Sequence, residues 1–396
     1  MFSVDTRFLW VLILIILVLV PFGVLRYAYL HEMDAYYAYN DIKIFRGFSE
    51  SGIPYIEKGI EYPVITGLFI YLTDVITPTK ESFFLLNFFL LATFALITAF
   101  VLYKMTNHRR RIMSLFVLTP SFVLFTVYNW DIIGVMLMTI SFYFIQKDRG
   151  TPAIVFLSLA VSAKFFPVIF LIPFLLKGDK GKAVRNLSLF VLTFLAVNLY
   201  FMASNFSNWF YSYSFHISRT ANTDSIWYFI LNVFPSEVLY INLISAGLFF
   251  FLYFFIIYRK RDLGFFRMSF LLLLAFLVFN KVFSPQYLLW LLPFFVILFR
   301  SPERKFYLLE FSNAAVLFLV LWYYFYISGP GLFLTGIAVL ARHAVLVYML
   351  VTLYRGREVL PNKTFITFGQ ISRWFSSLRR ISISKSRIRH SKRIMD

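Results

Sequence analysis

Eight polar side chains stand out in a chain that is otherwise strongly apolar: Asp34, Asp41, Asp131, Lys164, His216, Arg219, Lys281 and Gln286. Ionisable groups near a membrane core are costly, and each is by default a functional candidate. A carboxylate facing several cations at a lipid boundary suits an anionic lipid that reacts with a neutral nucleophile. The carboxylate can take a proton, and the cations can stabilise a departing phosphate. Each residue also has a plainer role. Asp131, after Asn129 and Trp130, fits a helix cap. Lys164 fits a side chain snorkelling to the outer headgroups. His216 and Arg219, three apart, fit one helix face, and Asp34 fits a solvated loop. Arg342 and His343 sit mid-run with no acidic partner evident, and read as packing or headgroup contacts.

The elements that must position these groups follow from composition. Of 396 residues, 60% are hydrophobic and 14% charged, whereas a soluble domain is nearer half apolar and a quarter charged. A transmembrane helix takes about 20 apolar residues, so twelve would use ~240. This excludes a soluble enzyme, a disordered chain and a porin-type barrel with alternating strands. The expected fold is an all-α polytopic membrane bundle of about twelve transmembrane helices. The first apolar run, 8–25, is followed by no small-residue cleavage site and reads as an uncleaved span.

Lys and Arg collect in cytoplasmic loops. The basic clusters are 109–111, Lys147 with Arg149, 177–185, 259–261, Arg300 with Arg304 and Lys305, and the tail. If all are cytoplasmic, an even number of crossings separates each pair. Two helices then fit between 112 and 146, turning outside at Asp131. The last pair turns at Gly329-Pro330-Gly331. The 152–176 run is expected to be a short hairpin bent at Lys164 and Pro167, since one span would expose the 177–185 cluster. The short run 62–77, which contains Asp74, reads as an interfacial or re-entrant helix. A large first outer loop, 30–80, holds room for two short surface helices. On this topology every candidate polar residue lies at an outer turn.

The formal charge is +19, and the 355–396 tail supplies +9 of it through 11 basic and 2 acidic residues. This tail is expected to lie on anionic headgroups rather than on nucleic acid. The domain reading is therefore a membrane domain at 1–354, with the active site fed by the outer loop, and a basic cytoplasmic tail at 355–396. The absence of cysteine excludes disulfides and a thiolate nucleophile. The sequence Asn205-Phe206-Ser207 is a glycan-acceptor pattern of low specificity.

At these residues the chain resembles the GT-C class of integral-membrane glycosyltransferases, in particular glycosyltransferase family 87 and the catalytic subunit of glycosylphosphatidylinositol mannosyltransferase I. Four stretches carry the likeness, in family order from Asp41 to about Pro293. The first is Asp41-Ile42-Lys43-Ile44-Phe45 with Gly52-Ile53-Pro54-Tyr55 and Tyr62-Pro63. The second is Asn129-Trp130-Asp131 followed by Ala163-Lys164-Phe165-Phe166-Pro167. The third is Phe215-His216-Ile217-Ser218-Arg219 with Ser225. The fourth, and most specific, is Phe279-Asn280-Lys281-Val282-Phe283-Ser284-Pro285-Gln286-Tyr287-Leu288-Leu289-Trp290. One departure is Tyr39, which stands where the eukaryotic enzyme has the first aspartate of an Asp-x-Asp pair, so no metal site is carried over.

The resemblance implies an inverting mannosyltransferase with a polyprenyl- or dolichyl-phosphate mannose donor and a lipid-linked or glycan acceptor. In it, Asp41 is the general base. Lys164, His216, Arg219 and Lys281 meet the donor phosphate, while Asp131 and Gln286 orient the sugar or the cations; Asp34, which no family motif matches, is added on the sugar and acceptor side from its place in the first outer loop. No cofactor is required, and the activated sugar arrives through the membrane, in keeping with the absence of a Gly-rich phosphate loop. The implied setting is a multi-pass protein of an archaeal-like cell membrane with its site facing outward, or of the endoplasmic reticulum in a eukaryote, with a small membrane subunit as a candidate partner. Two rivals stand beside it: a transporter or lipid flippase, which Arg342 would favour, and a non-catalytic subunit of a glycosylation complex.

The topology has a direct test, because the chain contains no native cysteine. Arg109→Cys is expected to be shielded from an impermeant thiol reagent applied outside. Strong outside labelling there overturns the orientation.

Overall fold

The computed structural model describes residues 6–32, 47–234, 238–260, 262–326 and 329–356. Asp34, Asp41 and most of the basic tail lie outside them. The regular secondary structure of the described residues is helical, apart from an isolated bridge between Pro54 and Lys58. Six helices are long and apolar enough to cross a membrane, within Phe8–Tyr27, Lys80–Thr106, Lys180–Ser204, Leu239–Arg259, Arg304–Tyr323 and Gly331–Tyr354. The chain is thus an all-helical, multi-pass membrane protein.

The remaining apolar helices are shorter than expected: Val64–Val75, Asp131–Gln146, Gly150–Ala163, Phe166–Leu175, Phe265–Phe279 and Pro285–Leu298 each have 10–17 residues. Asp131–Gln146, with 16 residues, rises only ~24 Å. Four of these end on the polar motifs, at Asp131, Ala163, Phe279 and Pro285. Helix ends expose backbone groups that lipid cannot satisfy, so such ends must sit inside protein; Asp131, Ala163 and Pro285 are buried and Phe279 is half-buried.

Local sequence sets the boundaries. Thr79 and Ser82 form a capping box on Lys80–Thr106, and Asp179, Asn205 and Ser225 each accept a backbone N–H at the start of the helix they precede. Asn205 also donates to the Ile56 carbonyl at 3.1 Å. Gly329, Pro330 and Gly331 do not form the last turn between helices; they open the helix Gly329–Tyr354, where proline lacks no bond it needs.

The 152–176 hairpin is present. Lys164 breaks the helix in an extended conformation, and Lys177 Nζ returns to Asp148 Oδ1 at 3.2 Å and to the Ile145 carbonyl at 3.0 Å. Lys177 therefore ends level with the start of the hairpin. Other basic clusters share an end too: Arg111 lies in the field of Arg300, and Lys260 packs over the Tyr354 ring at 4.3 Å. The core between them is aromatic. Phe142 meets the rings of Phe170, Phe265, Phe266 and Phe294 at 5.0–5.6 Å.

Polar ties join the helices where lipid offers no partner. Ser141 Oγ donates to the Ala153 carbonyl at 2.8 Å, and Ser158 Oγ to the Phe190 carbonyl at 2.9 Å. Asn198 links Ser162 and Trp209.

The described part of the 30–80 segment is docked at two points. Asp74 is buried and accepts from Gly47 N at 3.0 Å, Ser49 N at 2.8 Å and Ser49 Oγ at 2.6 Å. Tyr55 is fully buried with φ 68°, and its hydroxyl donates to the Tyr62 carbonyl at 2.8 Å. This placement depends on Gly67, where a Cβ would stand 1.8 Å from the Tyr55 hydroxyl.

Gly67→Ala should therefore destabilise the protein by about 1–3 kcal/mol through overpacking. Combining it with Tyr55→Phe, which removes the clashing oxygen, should cost less than the sum of the two changes. Thermal unfolding in detergent reads both. Strict additivity would show that the two residues are not in contact.

Candidate active site

The site is built where a helix start meets a helix end. Asp131 is the first residue of its helix, fully buried, and Lys164 lies just beyond the end of Gly150–Ala163. Their side chains form an ion pair. Asp131 is not a cap: its side chain takes Trp290 Nε1 at 3.0 Å, while its own N–H is received by Asn129 Oδ1 at 3.0 Å. Trp130 is fixed in turn by donating to Asn87 Oδ1 at 2.8 Å. Lys164 does not snorkel either. Its side chain is 16% exposed, and Nζ lies 4.8 Å from the centre of the Tyr62 ring. Tyr62 packs edge-on against Trp130 at 5.5 Å. The Tyr62-Pro63 loop is latched to the same bend, since Thr66 Oγ1 donates to the Ala163 carbonyl at 2.7 Å.

His216 sits in the last turn of Phe206–Ser218, and Arg219 lies beyond it in extended conformation, so the two do not share a helix face. His216 Nε2 is 3.2 Å from the Glu61 carbonyl, and its ring meets Phe165 edge-on at 5.7 Å. Burial pushes its pKa down to about 4, helped by the nearby charges of Lys164 and Arg219. At neutral pH it is a neutral imidazole, which donates from Nε2 to Glu61 and leaves Nδ1 as an acceptor. It is not one of the cations that the sequence suggested.

Lys281 is also spent differently from the expectation. Its ammonium donates to the Ile217 carbonyl at 2.8 Å and to the Arg219 carbonyl. It thereby caps the carbonyl end of the helix that carries His216. Burial lowers its pKa to about 8, with Arg219 adding to the shift. Arg219 donates to Asn222 Oδ1 at 2.8 Å, and Asn222 reaches Ser284 Oγ at 3.2 Å. Gln286, half-buried in the turn Pro285–Trp290, has no hydrogen-bond partner among the described residues. Lys164, His216, Arg219 and Lys281 thus fall within one electrostatic neighbourhood, with Asp131 bound to the first.

Several members were not singled out by sequence. Trp290 lies inside the fourth motif, and its indole N–H is the second tie on Asp131. Glu61 precedes the Tyr62-Pro63 pair and senses both Lys164 and Arg219. Asp224 is buried, and burial raises its pKa to about 6 against the opposing pull of Arg342 and Arg219. Arg342 has the acidic neighbour that sequence did not reveal, Asp224. It is fully buried, donating to Asn313 Oδ1 at 2.9 Å, to the Phe283 carbonyl at 3.1 Å and to the Asp224 carbonyl, and it lies over the Phe283 ring at 3.8 Å. It binds together the two loops that end at Asp224 and Phe283. Among the described residues no three His, Cys, Asp or Glu side chains gather as a metal set.

Residues 61–285, more than half of the chain, match glycosyltransferase family 87. None of the curated proteins matches the chain in sequence. A similar solved structure is that of ArnT from Cupriavidus metallidurans bound to undecaprenyl phosphate; it is 14% identical, covers 88% of this chain and 78% of its own, and superposes with a TM-score of 0.45.

The Asp131–Lys164 pair separates structure from chemistry. Lys164→Met leaves a buried charge unpaired and should cost about 3–5 kcal/mol of stability. Asp131→Asn combined with Lys164→Met removes both charges and should recover most of that loss while activity stays absent. A double variant as unstable as Lys164→Met alone would show that the pair is not the source of the cost.

Proposed function

Because the chain belongs to glycosyltransferase family 87, we propose that it is an inverting transferase that moves a sugar, mannose, from a polyprenyl- or dolichyl-phosphate donor to a lipid-linked or glycan acceptor on the outer membrane face. The arrangement is read as GT-C-like. The observation that carries this reading is Lys164, held by Asp131 beneath the Tyr62 ring with Arg219 and neutral His216 alongside. An ammonium has three N–H groups. Asp131 takes one and the others are open to a phosphate oxygen.

The proposed reaction needs little else from the protein. The acceptor hydroxyl attacks the anomeric carbon, the bond to the phosphate oxygen breaks, and the hydroxyl proton passes to a carboxylate. Asp41 is the proposed base, from its place in the acidic outer loop and its match to the family motif. Lys164 and Arg219 stabilise the charge that grows on the leaving phosphate, in a buried site where such contacts count most. Lys281 fixes the backbone turn that presents Arg219 and has one N–H left for the phosphate. His216 Nδ1 can receive a sugar hydroxyl, and the Gln286 amide, with no partner among the described residues, suits the same task. Asp131 orients Lys164, and Asp34 is assigned a minor part on the acceptor side. A transporter reading loses its main support, since both terminal nitrogens of Arg342 are bonded to protein groups.

Purified protein offered several polyprenyl-phosphate sugars should turn over the mannose form. In that assay Asp41→Asn should lower the rate by about 10²–10⁴-fold, the usual cost of losing a general base, with donor binding little changed. Asp34→Asn should be much milder. Near-normal turnover by Asp41→Asn, with loss in Asp34→Asn, would move the base to the other aspartate.

A further inference from the structure

The turn Pro285–Trp290 carries a polar group that the reaction above does not use. Tyr287 is buried, and its ring is part of a stacked column. Phe166 lies on Trp290 at 4.1 Å with the planes 4° apart, and Trp290 lies on Tyr287 at 4.0 Å and 21°. Tyr287 then faces Phe283 at 6.4 Å and 23°, and Arg342 closes the far end, 3.8 Å over the Phe283 ring. The backbone is fixed too, since the Tyr287 N–H donates to the Ser284 carbonyl at 3.0 Å. A ring packed on both faces swings little, so its hydroxyl has a set direction.

The column stands between the two cations assigned to the donor phosphate. On one side Trp290 donates to Asp131, which holds Lys164. On the other, Ser284 Oγ receives Asn222, which holds Arg219. Tyr287 accordingly lies in the field of Arg219, Asp131, Asp224 and Glu61. A buried tyrosine hydroxyl usually finds a partner. This one has no hydrogen bond among the described residues, and its oxygen is not among the partnerless atoms sealed from solvent. It therefore still borders open space, as a neutral group that can donate one hydrogen bond.

The proposed transfer asks for such a donor at one atom. The phosphodiester arrives with one negative charge. When the bond from the anomeric carbon to the phosphate oxygen breaks, the bonding pair stays on that oxygen, and the leaving monoester carries two. Lys164, Arg219 and the spare N–H of Lys281 attract the phosphate both before and after this change. An ester oxygen is a poor acceptor and an anionic one a good acceptor, so a hydroxyl aimed there acts mainly in the transition state. Only such differential stabilisation lowers the barrier, and a donor already held in place needs no reorganisation to supply it.

We propose that Tyr287 is a further catalytic residue: its phenolic O–H donates a hydrogen bond to the phosphate oxygen that leaves the sugar. This rests on the donor reading above. Tyr287 keeps its proton throughout, and the acceptor's proton goes to the base as before. The same hydroxyl has two rival partners, a carboxylate (Asp224 or Glu61) and a hydroxyl of the sugar, and the experiment separates them.

Tyr287→Phe removes the hydroxyl and leaves the ring in its column. Thermal unfolding in detergent should match wild type, because no protein group loses a bond. Marked destabilisation would show that the hydroxyl holds a carboxylate, and overturns the proposal. Turnover of a short-chain prenyl-phosphate mannose should fall about 10²–10³-fold, the usual cost of one oxyanion donor, with the donor KM little changed. Calorimetric binding of the bare prenyl phosphate, the sugar-free product, is the decisive measurement. At about pH 8 this monoester is a dianion, since its second ionisation lies near about 6. Tyr287→Phe should weaken its binding about tenfold or more, and that of the mannose phosphodiester far less. Loss confined to the mannose phosphodiester would place the hydroxyl on the sugar and overturn the proposal. Equal loss for both ligands would make the contact one of uniform binding, and overturns it as well. Wild type that fails to bind prenyl phosphate at all removes the donor reading itself, whereas wild-type binding that Tyr287→Phe leaves intact sinks the role of Tyr287 alone.

Discussion

The Asp131–Lys164 ion pair is the interaction on which the rest of the site depends. Removing two charges from water is expensive, and the cost is met only if the pair is close and its spare valences are used. The structure meets both conditions. Trp290 occupies the second carboxylate oxygen, and the Tyr62 ring covers the ammonium. Each of these partners comes from a different motif, so the pair draws the first loop, the hairpin bend and the Pro285–Trp290 turn to one place. Gly134 belongs to the same junction, since a Cβ there would stand 2.9 Å from Lys164 Cβ.

That requirement also explains why so many helices are short. A helix that ends within the membrane leaves backbone groups that lipid cannot satisfy. Here such ends are given protein partners: Lys281 on the carbonyls of Ile217 and Arg219, Trp227 Nε1 on the Phe279 carbonyl at 3.0 Å, and Arg342 on the carbonyls of Asp224 and Phe283. Basic side chains that look like ligand-binding groups in the sequence therefore divide into two kinds. Lys164 is held by the Asp131 carboxylate and Arg219 by the Asn222 side chain, while Lys281 and Arg342 hold backbone carbonyls and keep loops in register.

The six long helices and the short ones have separate tasks. The long spans carry exposed apolar side chains such as Leu192, Tyr200, Phe251 and Phe311, which suit contact with lipid. The short Phe265–Phe279 and Pro285–Leu298 helices are buried along most of their length. They form the support beneath the site, with the Phe142 cluster as its aromatic filling. A rigid base of this kind keeps polar groups at fixed separation, which electrostatic stabilisation of a leaving group requires.

Much of this was legible in the sequence. Composition determined an all-helical membrane protein, because only helices of apolar residues satisfy their own backbone in lipid. The positive clusters determined the hairpin at Lys164, and the ordered motifs marked Asp131, Lys164, His216 and Arg219 as neighbours. Asp41, the base implied by resemblance, lies outside the described residues, so its role rests on sequence. Tertiary structure alone decided what each polar group does. Whether a lysine meets lipid, a carboxylate or a backbone carbonyl depends on what packs against it, and those partners are far away in the chain: Trp290 for Asp131, Glu61 for His216, Ile217 for Lys281, Asp224 for Arg342. His216 became neutral, and Glu61 entered the site, for the same reason. Burial and the charges of residues distant in sequence set the ionisation of both, and no local pattern encodes either.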